Sequence, residues 1–315
     1  MTQHALIDVR VVSVRDVARD TRLFEFARAD GAPLPDGEAG AHIGVHMANG
    51  VMRQYSLVHA AAAPKSYVIA VKCDAGGRGG SRWMYDELRE AALLQIEAPR
   101  NNFPLAEHAR SSVFFAGGIG ITPIHSMVMR LQALARPWTL HFACRSRADA
   151  AFYDELSSMG GTRLHFDDES GRYFDMAGAV KRAERDAHLY CCGPAPMLAA
   201  FEAATADWPR ELVHVEYFTA RAEAATAGGF TVDCAKSNKS FYIPPGRKIL
   251  HVLREGGVTV SSSCEEGICG ACEVDVLSGI PDHRDAILTA AEREQNKTMF
   301  VCCSGAKSDK LVLDL

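Results

Sequence analysis

Nowhere does the 315-residue chain carry an apolar run near the ~18 residues that a membrane-crossing helix requires. That absence argues against a membrane protein. Positive charge is not in excess either. Lys and Arg number 34 against 39 Asp and Glu, and a formal net charge of −5 lacks the basic footprint of a nucleic-acid binder. The opening residues Met1-Thr2-Gln3-His4-Ala5-Leu6-Ile7-Asp8 hold neither a basic cluster nor an apolar stretch, so no secretory signal is read there. No internal repeat is visible. A soluble, cytoplasmic protein is expected.

Apolar residues make up 48% and charged residues 23%, an ordinary globular balance, and the length suits two or three domains. Up to about Leu105 the pattern is strand-rich: apolar or alternating runs at Ile7–Val14, Leu23–Phe26, Ile43–Met47, Tyr67–Lys72 and Leu93–Glu97, separated by Gly, Pro and Asp. One helix over roughly Arg82–Glu90 interrupts them, which predicts an antiparallel β-barrel with a cap helix (1–105). The rhythm then changes. Short apolar runs at Ser112–Ala116, Leu140–Cys144, Arg163–Phe166, Leu189–Cys192 and Val213–Val215 alternate with helical stretches at Ile124–Ala135, Phe152–Met159 and Met197–Ala206. That order predicts a parallel α/β domain (106–225). Ala220–Gly229 reads as a linker, and a third domain (226–315) follows. It opens with a hairpin (Phe230–Ala235, Ser240–Ile243) and a helix (Lys248–Glu255), with short strands at Val274–Leu277 and Leu311–Leu313.

Five of the ten cysteines fall at Cys264, Cys269, Cys272, Cys302 and Cys303. Clustering of this kind in a reduced compartment points to metal rather than to disulfides. Cys264, Cys269 and Cys272 have the C-x4-C-x2-C spacing of plant-type 2Fe–2S proteins, with a fourth ligand expected at Cys302. Gly267 and Gly270 let the loop wrap and turn its N–H groups toward sulfur. A structural zinc is the rival reading, but such sites usually pair two C-x2-C knuckles and only one is present. Cys302 and Cys303 point to opposite sides of an extended backbone, so one is a ligand and the other a buried thiol.

Ser112–Ala116 runs into Gly117-Gly118-Ile119-Gly120-Ile121-Thr122-Pro123 and then a helix. This is either a tight structural turn or a phosphate site at a helix N-terminus. It is not the G-x-G-x-x-G of ordinary dehydrogenases. A second turn of the same kind, Cys192-Gly193-Pro194-Ala195-Pro196, again joins strand to helix. Two such loops at the carboxyl ends of parallel strands favour a dinucleotide. In the barrel, Arg53-Gln54-Tyr55-Ser56 offers a cation, an aromatic and a hydroxyl. Gly76-Gly77-Arg78-Gly79-Gly80-Ser81 precedes the cap helix, either as an anion nest with Ser81 as N-cap or as a flexible turn.

Taken in order, Arg-x-Tyr-Ser, Gly-Arg-Gly-Gly-Ser, Gly-Gly-Ile-Gly-Ile-Thr-Pro, Cys-Gly-Pro and the cysteine loop resemble the phthalate dioxygenase reductase and vanillate O-demethylase reductase family. This family is a branch of the ferredoxin–NADP reductase superfamily with a C-terminal ferredoxin (β-grasp) domain. The resemblance covers essentially the whole chain, to Lys310–Leu315. It implies FMN held by Arg53, Tyr55 and Ser56, its ring lined by Ala70, Val71 and Lys72, and its phosphate on Arg78, Gly79, Gly80 and Ser81. It implies NADH across Gly117, Gly118, Gly120, Thr122, Cys192, Gly193 and Pro194. Ser56, Thr122 and Cys192 would surround the reacting rings, with Phe218, in His214-Val-Glu-Tyr-Phe218, packed beside the flavin. The neighbouring Cys303 departs from the family pattern. The activity implied is that of an NADH-dependent oxidoreductase passing electrons through FMN and a 2Fe–2S cluster to a Rieske-type oxygenase or O-demethylase acting on aromatic compounds. No Rieske Cys-His pair occurs in this chain, so oxygen chemistry is expected elsewhere. The partner is expected to dock over Cys264–Cys272, steered by Glu265 and Glu266. A di-iron oxygenase or a cytochrome is the alternative acceptor, and a simple metal-binding electron carrier is the non-enzymatic rival. For the nucleotide, Arg145 and Arg147 favour a 2′-phosphate whereas Asp149 and Asp167-Asp168-Glu169 oppose it.

Overall fold

Alternation of apolar and polar residues over the first hundred positions becomes an antiparallel sheet in the computed structural model, which describes residues 6–74, 76–77, 79–219, 222–262 and 264–315. The strands are β1 (Leu6–Ala18), β2 (Thr21–Arg28), β3 (His42–His46), β4 (Met52–Ser56), β5 (Ser66–Lys72) and β6 (Leu93–Glu97). They lie in the order β4-β3-β6-β1-β2-β5. A bridge between Leu57 and Ile69 brings the end of β4 back beside β5, closing the barrel. In β2 the period of two is plain: Phe24 and Phe26 are fully buried while Glu25 between them faces outward. They join Val9, Val11, Ile43, Val45, Ile69 and Ile96 in one core, where each such side chain contributes about 1.5–3 kcal/mol. Helix α1 (Gly80–Glu87) caps the barrel through buried Met84. It stops short of Glu90 because Leu88 turns extended and enters the same core.

The α/β part comprises β7 (Ser112–Gly117), α2 (Ile121–Ala133), β8 (Trp138–Cys144), α3 (Tyr153–Ser157), β9 (Thr162–Phe166), α4 (Asp167–Ser170), α5 (Met176–Lys181), β10 (His188–Cys192), α6 (Ala195–Ala204) and β11 (Val213–Glu216). The sheet order is β11-β10-β7-β8-β9, and every pair is parallel. Every residue of β7 is buried, as expected of a central strand covered on both faces. Helices α4 and α5 are too short to show a periodicity in sequence. Barrel and α/β sheet lie in one compact unit that ends at Glu216.

The second unit spans Tyr217–Leu315. Its strands are β12 (Phe230–Cys234), β13 (Lys239–Ile243), β14 (Glu273–Ser278), β15 (Pro281–Asp282), β16 (Thr298–Phe300), β17 (Gly305–Ala306) and β18 (Lys310–Leu313), with helices α7 (Ile249–Glu255) and α8 (Ala290–Gln295). The main sheet runs β13-β12-β18-β14-β16, with the β12–β13 hairpin and β12 parallel to β18. Leu250 and Leu253 of α7 pack on Val232, Met299, Leu311 and Leu313, which gives a β-grasp core. Residues 222–229 form no helix or strand, as a linker should, but they are not a free tether. Ala225 N–H donates to Cys303 O at 2.7 Å and Thr226 O accepts from Gly246 N–H at 2.8 Å. Ala220 and Arg221 of the expected linker lie outside the described residues. Among the described residues no helix is long and apolar enough to cross a membrane.

Candidate functional site

Strand order reverses between β7 and β10, and a parallel sheet opens a crevice at such a switch point, outside the carboxyl ends of its strands. Both glycine-rich turns leave the sheet there. Ala116 pairs with Cys192 across β7 and β10, so Gly117–Gly120 and Gly193–Pro194 emerge side by side. Contact is close enough that a Cβ on Gly120 would lie 2.2 Å from Cys192 O, and only glycine fits. No side chain caps the N-terminus of α2, but the Ile121 N–H already donates to Gly118 O and Pro123 has no N–H, so the helix start itself offers an anion few donors. Thr122 is buried and donates its hydroxyl to Ile119 O at 3.0 Å, fixing the turn. Cys192 is buried at the tip of β10, and burial pushes its thiol well up, so it stays neutral.

Arg53, Tyr55 and Ser56 lie on β4, paired through β3 with Val45, Ile43 and His42. Ser56 is buried, and the Tyr55 hydroxyl is enclosed with no hydrogen-bond partner among the described residues. An enclosed hydroxyl without a partner is costly unless something else satisfies it. Ala70 and Val71 are buried on β5, while Lys72 reaches Asp149 at 3.6 Å. Gly79 has φ +86°, a left-handed conformation that favours glycine, and it begins α1 with no side-chain cap. A Cβ on Gly80 would meet Arg53 Cγ at 2.7 Å, so the β4 arginine lies against the start of this helix. Ser81 is not the N-cap. That position is Gly79, and Ser81 Oγ instead accepts from Asp74 N–H at 3.1 Å. Arg78 lies outside the described residues. An uncapped helix start beside an arginine, near an unsatisfied tyrosine, fits a phosphate joined to a flat polar ring.

Glu216 is a residue the sequence reading passed over. It ends β11 directly opposite Cys192. The residue as a whole keeps some exposure, but Oε2 is closed off and has no partner among the described residues. Burial pushes its carboxyl up to about 8. The available signal was an acid at the carboxyl end of the last parallel strand, two residues before Phe218. Phe218 itself belongs to the Tyr217–Leu315 unit, where it is 38% exposed and outside regular structure.

In that unit Cys264, Cys269, Cys272, Cys302 and Cys303 are all buried. Cys264 interacts with Cys269, and Cys302 with both Cys272 and Cys303. Backbone donors face them: Glu266 N–H reaches Cys264 Sγ at 3.3 Å and Ala271 N–H reaches Cys269 Sγ at 3.5 Å. Donation from Cys272, then from Cys303, holds the Cys302 thiol below its usual range. Cys302 and Cys303 lie in a turn, not in the extended backbone expected, so their side chains are not on opposite sides and their sulfurs interact. The Cys303 thiol also faces Phe300 O at 3.6 Å, and a Cβ on Gly267 (φ +72°) would approach its sulfur to 2.5 Å. Paired thiols with N–H donors suit a 2Fe–2S cluster. Glu265, expected to steer a partner, is occupied within the unit: its carboxylate meets His251 at 3.0 Å and Arg254 at 3.3 Å.

A glycine-lined crevice at a switch point, a helix start without a side-chain cap and a buried cysteine cluster in one chain are the parts an iron–sulfur oxidoreductase requires. Comparison with known proteins agrees. Residues 232–307 match the 2Fe-2S iron-sulfur cluster binding domain. The chain is 46% identical to phenoxybenzoate dioxygenase subunit beta of Ectopseudomonas oleovorans, covering 99% of this chain and 98% of that one. It is 40% identical to phthalate dioxygenase reductase of Burkholderia cepacia over 99% and 98%. A solved phthalate dioxygenase reductase, described as modular for electron transfer from pyridine nucleotides to [2Fe–2S], superposes with a TM-score of 0.73 at 40% identity, covering 99% and 98%. An intact type IV self-sufficient cytochrome P450 monooxygenase superposes with a TM-score of 0.90 at 39% identity, and there 98% of this chain spans 41% of the larger one. The chain belongs to the phthalate dioxygenase reductase family, the reductase components of oxygenase systems.

Glu216 yields a pH prediction. Its folded-state value lies above the ordinary 4.5, so its stabilising contribution is fully present below about 4.5 and is lost as pH rises through about 8. Glu216→Gln should remove that decline, making the variant more stable than the parent at pH 8. Melting curves across the window check this, and parallel pH profiles for the two proteins would contradict it.

Proposed function

We propose that the protein is the NADH-dependent reductase of a Rieske-type oxygenase or O-demethylase acting on aromatic compounds, and that it works in the cytoplasm. The observation that carries this reading is the presence in one chain of the switch-point crevice, the uncapped α1 corner and the paired sulfurs. Residues 1–105 are assigned to FMN, 106–225 to NADH and 226–315 to the cluster. When bound, FMN supplies the conversion of a two-electron hydride into single electrons that an iron–sulfur cluster can carry.

The chain's part is to bind and orient. Arg53 and the N–H groups of Gly79, Gly80 and Ser81 are assigned to the FMN phosphate. Tyr55 and Ser56 would hydrogen-bond the flavin, and Ala70 and Val71 would wall its ring, with Lys72 at the edge. Gly117, Gly118, Gly120, Gly193 and Pro194 let the NADH pyrophosphate approach the backbone. Thr122 and Cys192 would position the nicotinamide, the latter as a neutral thiol. Cys264, Cys269, Cys272 and Cys302 are assigned to the two irons. Hydride transfer needs no acid–base triad, so none is invoked.

A second reading is supported by the likeness to the P450 chain: the same module delivering electrons to a haem partner. A reduced-haem spectrum formed from NADH through this chain would identify that acceptor, and oxygenase turnover the first.

Acid-released flavin should be FMN, and anaerobic NADH should bleach the bound flavin before release. Recovery chiefly of FAD would overturn the assignment. Within the cysteine pair, Cys302→Ser should lose or alter the 2Fe–2S spectrum while Cys303→Ser keeps it. The reverse pattern would exchange their roles.

A further inference from the structure

Strands β8 and β9 are neighbours, Cys144 facing Phe166 at their carboxyl ends, so the turns that follow share an edge with the glycine-rich loops. In a dinucleotide fold this is the end of the crevice that meets the adenosine ribose. An acidic group there suits a free 2′-hydroxyl and an available arginine suits a 2′-phosphate. Two arginines, Arg145 and Arg147, enter that turn, and the Nε/Nη2 edge of Arg147 is already taken. Its Nε and Nη2 donate to Glu169 Oε1 and Oε2 at 2.5 and 3.0 Å, and Nη1 donates to the Tyr153 hydroxyl. The guanidinium also lies over the rings of Phe166 and Tyr153, 5.0 and 5.5 Å from their centroids. A phosphate is recognised by that same fork of parallel N–H donors, so the carboxylate and a 2′-phosphate compete for one edge. If the fork were to open, Glu169 would be left unpaired beside Asp167 and Asp168 in the first turn of α4, facing a group of about −1.5 to −2 charge. Asp149 does not share this task, because its carboxylate is held by Ser146 at 2.7 Å and lies near Lys72 and Arg19.

We infer that Glu169 sets the choice of nucleotide by closing the Arg147 fork, which denies a 2′-phosphate that bidentate edge and favours a nucleotide with a free 2′-hydroxyl. Glu169 is thus a positioning residue acting through Arg147. The inference rests on reading this edge as the NADH site. Both side chains are about half exposed, so the pair adds little to stability and its removal leaves the fold intact.

The test uses the full-length, flavin-loaded protein. In Glu169→Gln the ratio of kcat/KM for NADPH to that for NADH should rise at least about tenfold, equivalent to about 1.4 kcal/mol. Competitive inhibition by 2′-AMP should tighten in parallel, a change that a purely structural ion pair would not produce. Adding Arg147→Ala to Glu169→Gln should abolish both gains. An unchanged ratio in Glu169→Gln, or a gain that survives loss of Arg147, would overturn the inference. Failure of the functional reading is distinct: neither nucleotide would then reduce the flavin of the parent protein.

Discussion

Reversal of strand order at β7 and β10 is the constraint on which the N-terminal unit depends. Helices leaving β7 and β10 must cover opposite faces of the sheet, so their first turns diverge and leave a crevice between them. Gly120 against Cys192 O sets how closely the two turns meet, and substitution there would force the backbones apart. The Lys72–Asp149 contact joins β5 of the barrel to the turn after β8, and the start of α1 and the crevice belong to one compact unit.

The C-terminal unit answers a different demand. Thiolates are costly to bury, and only donated hydrogen bonds and metal offset that cost. The loop from Cys264 to Cys272 therefore takes left-handed backbone at Glu265, Gly267 and Gly270, which turns N–H groups inward. Glu265 is the informative member, a non-glycine residue held at φ +56° with its carboxylate tied to His251 and Arg254 and its carbonyl accepting from Lys248 at 3.0 Å. Helix α7 thus braces the loop from behind, and the basic residues near the cysteines serve the loop itself.

Much of this was legible in sequence because it is local. Periodicity in Leu23–Phe26 and in Ser112–Ala116 reflects burial on one face or two, and the cysteine spacing is fixed by what one tight loop can wrap. What escaped was set by partners distant in the chain. The end of α1 depends on Leu88 finding the barrel core. The occupation of Arg147 depends on Glu169, twenty-two positions later and on another strand's turn. The isolation of Glu216 depends on what surrounds the end of β11. Ser81 misled because a serine before a helix is usually its cap, whereas here Gly79 begins the helix with no side-chain cap.

Separation of hydride transfer from one-electron export is tested most directly with full-length Cys269→Ala loaded with FMN. With NADH it should reduce ferricyanide at the parent rate, since that dye collects electrons from flavin, while electron delivery to the oxygenase falls to background. Oxygenase turnover at the full rate in this variant would mean that the flavin serves the partner without the cluster.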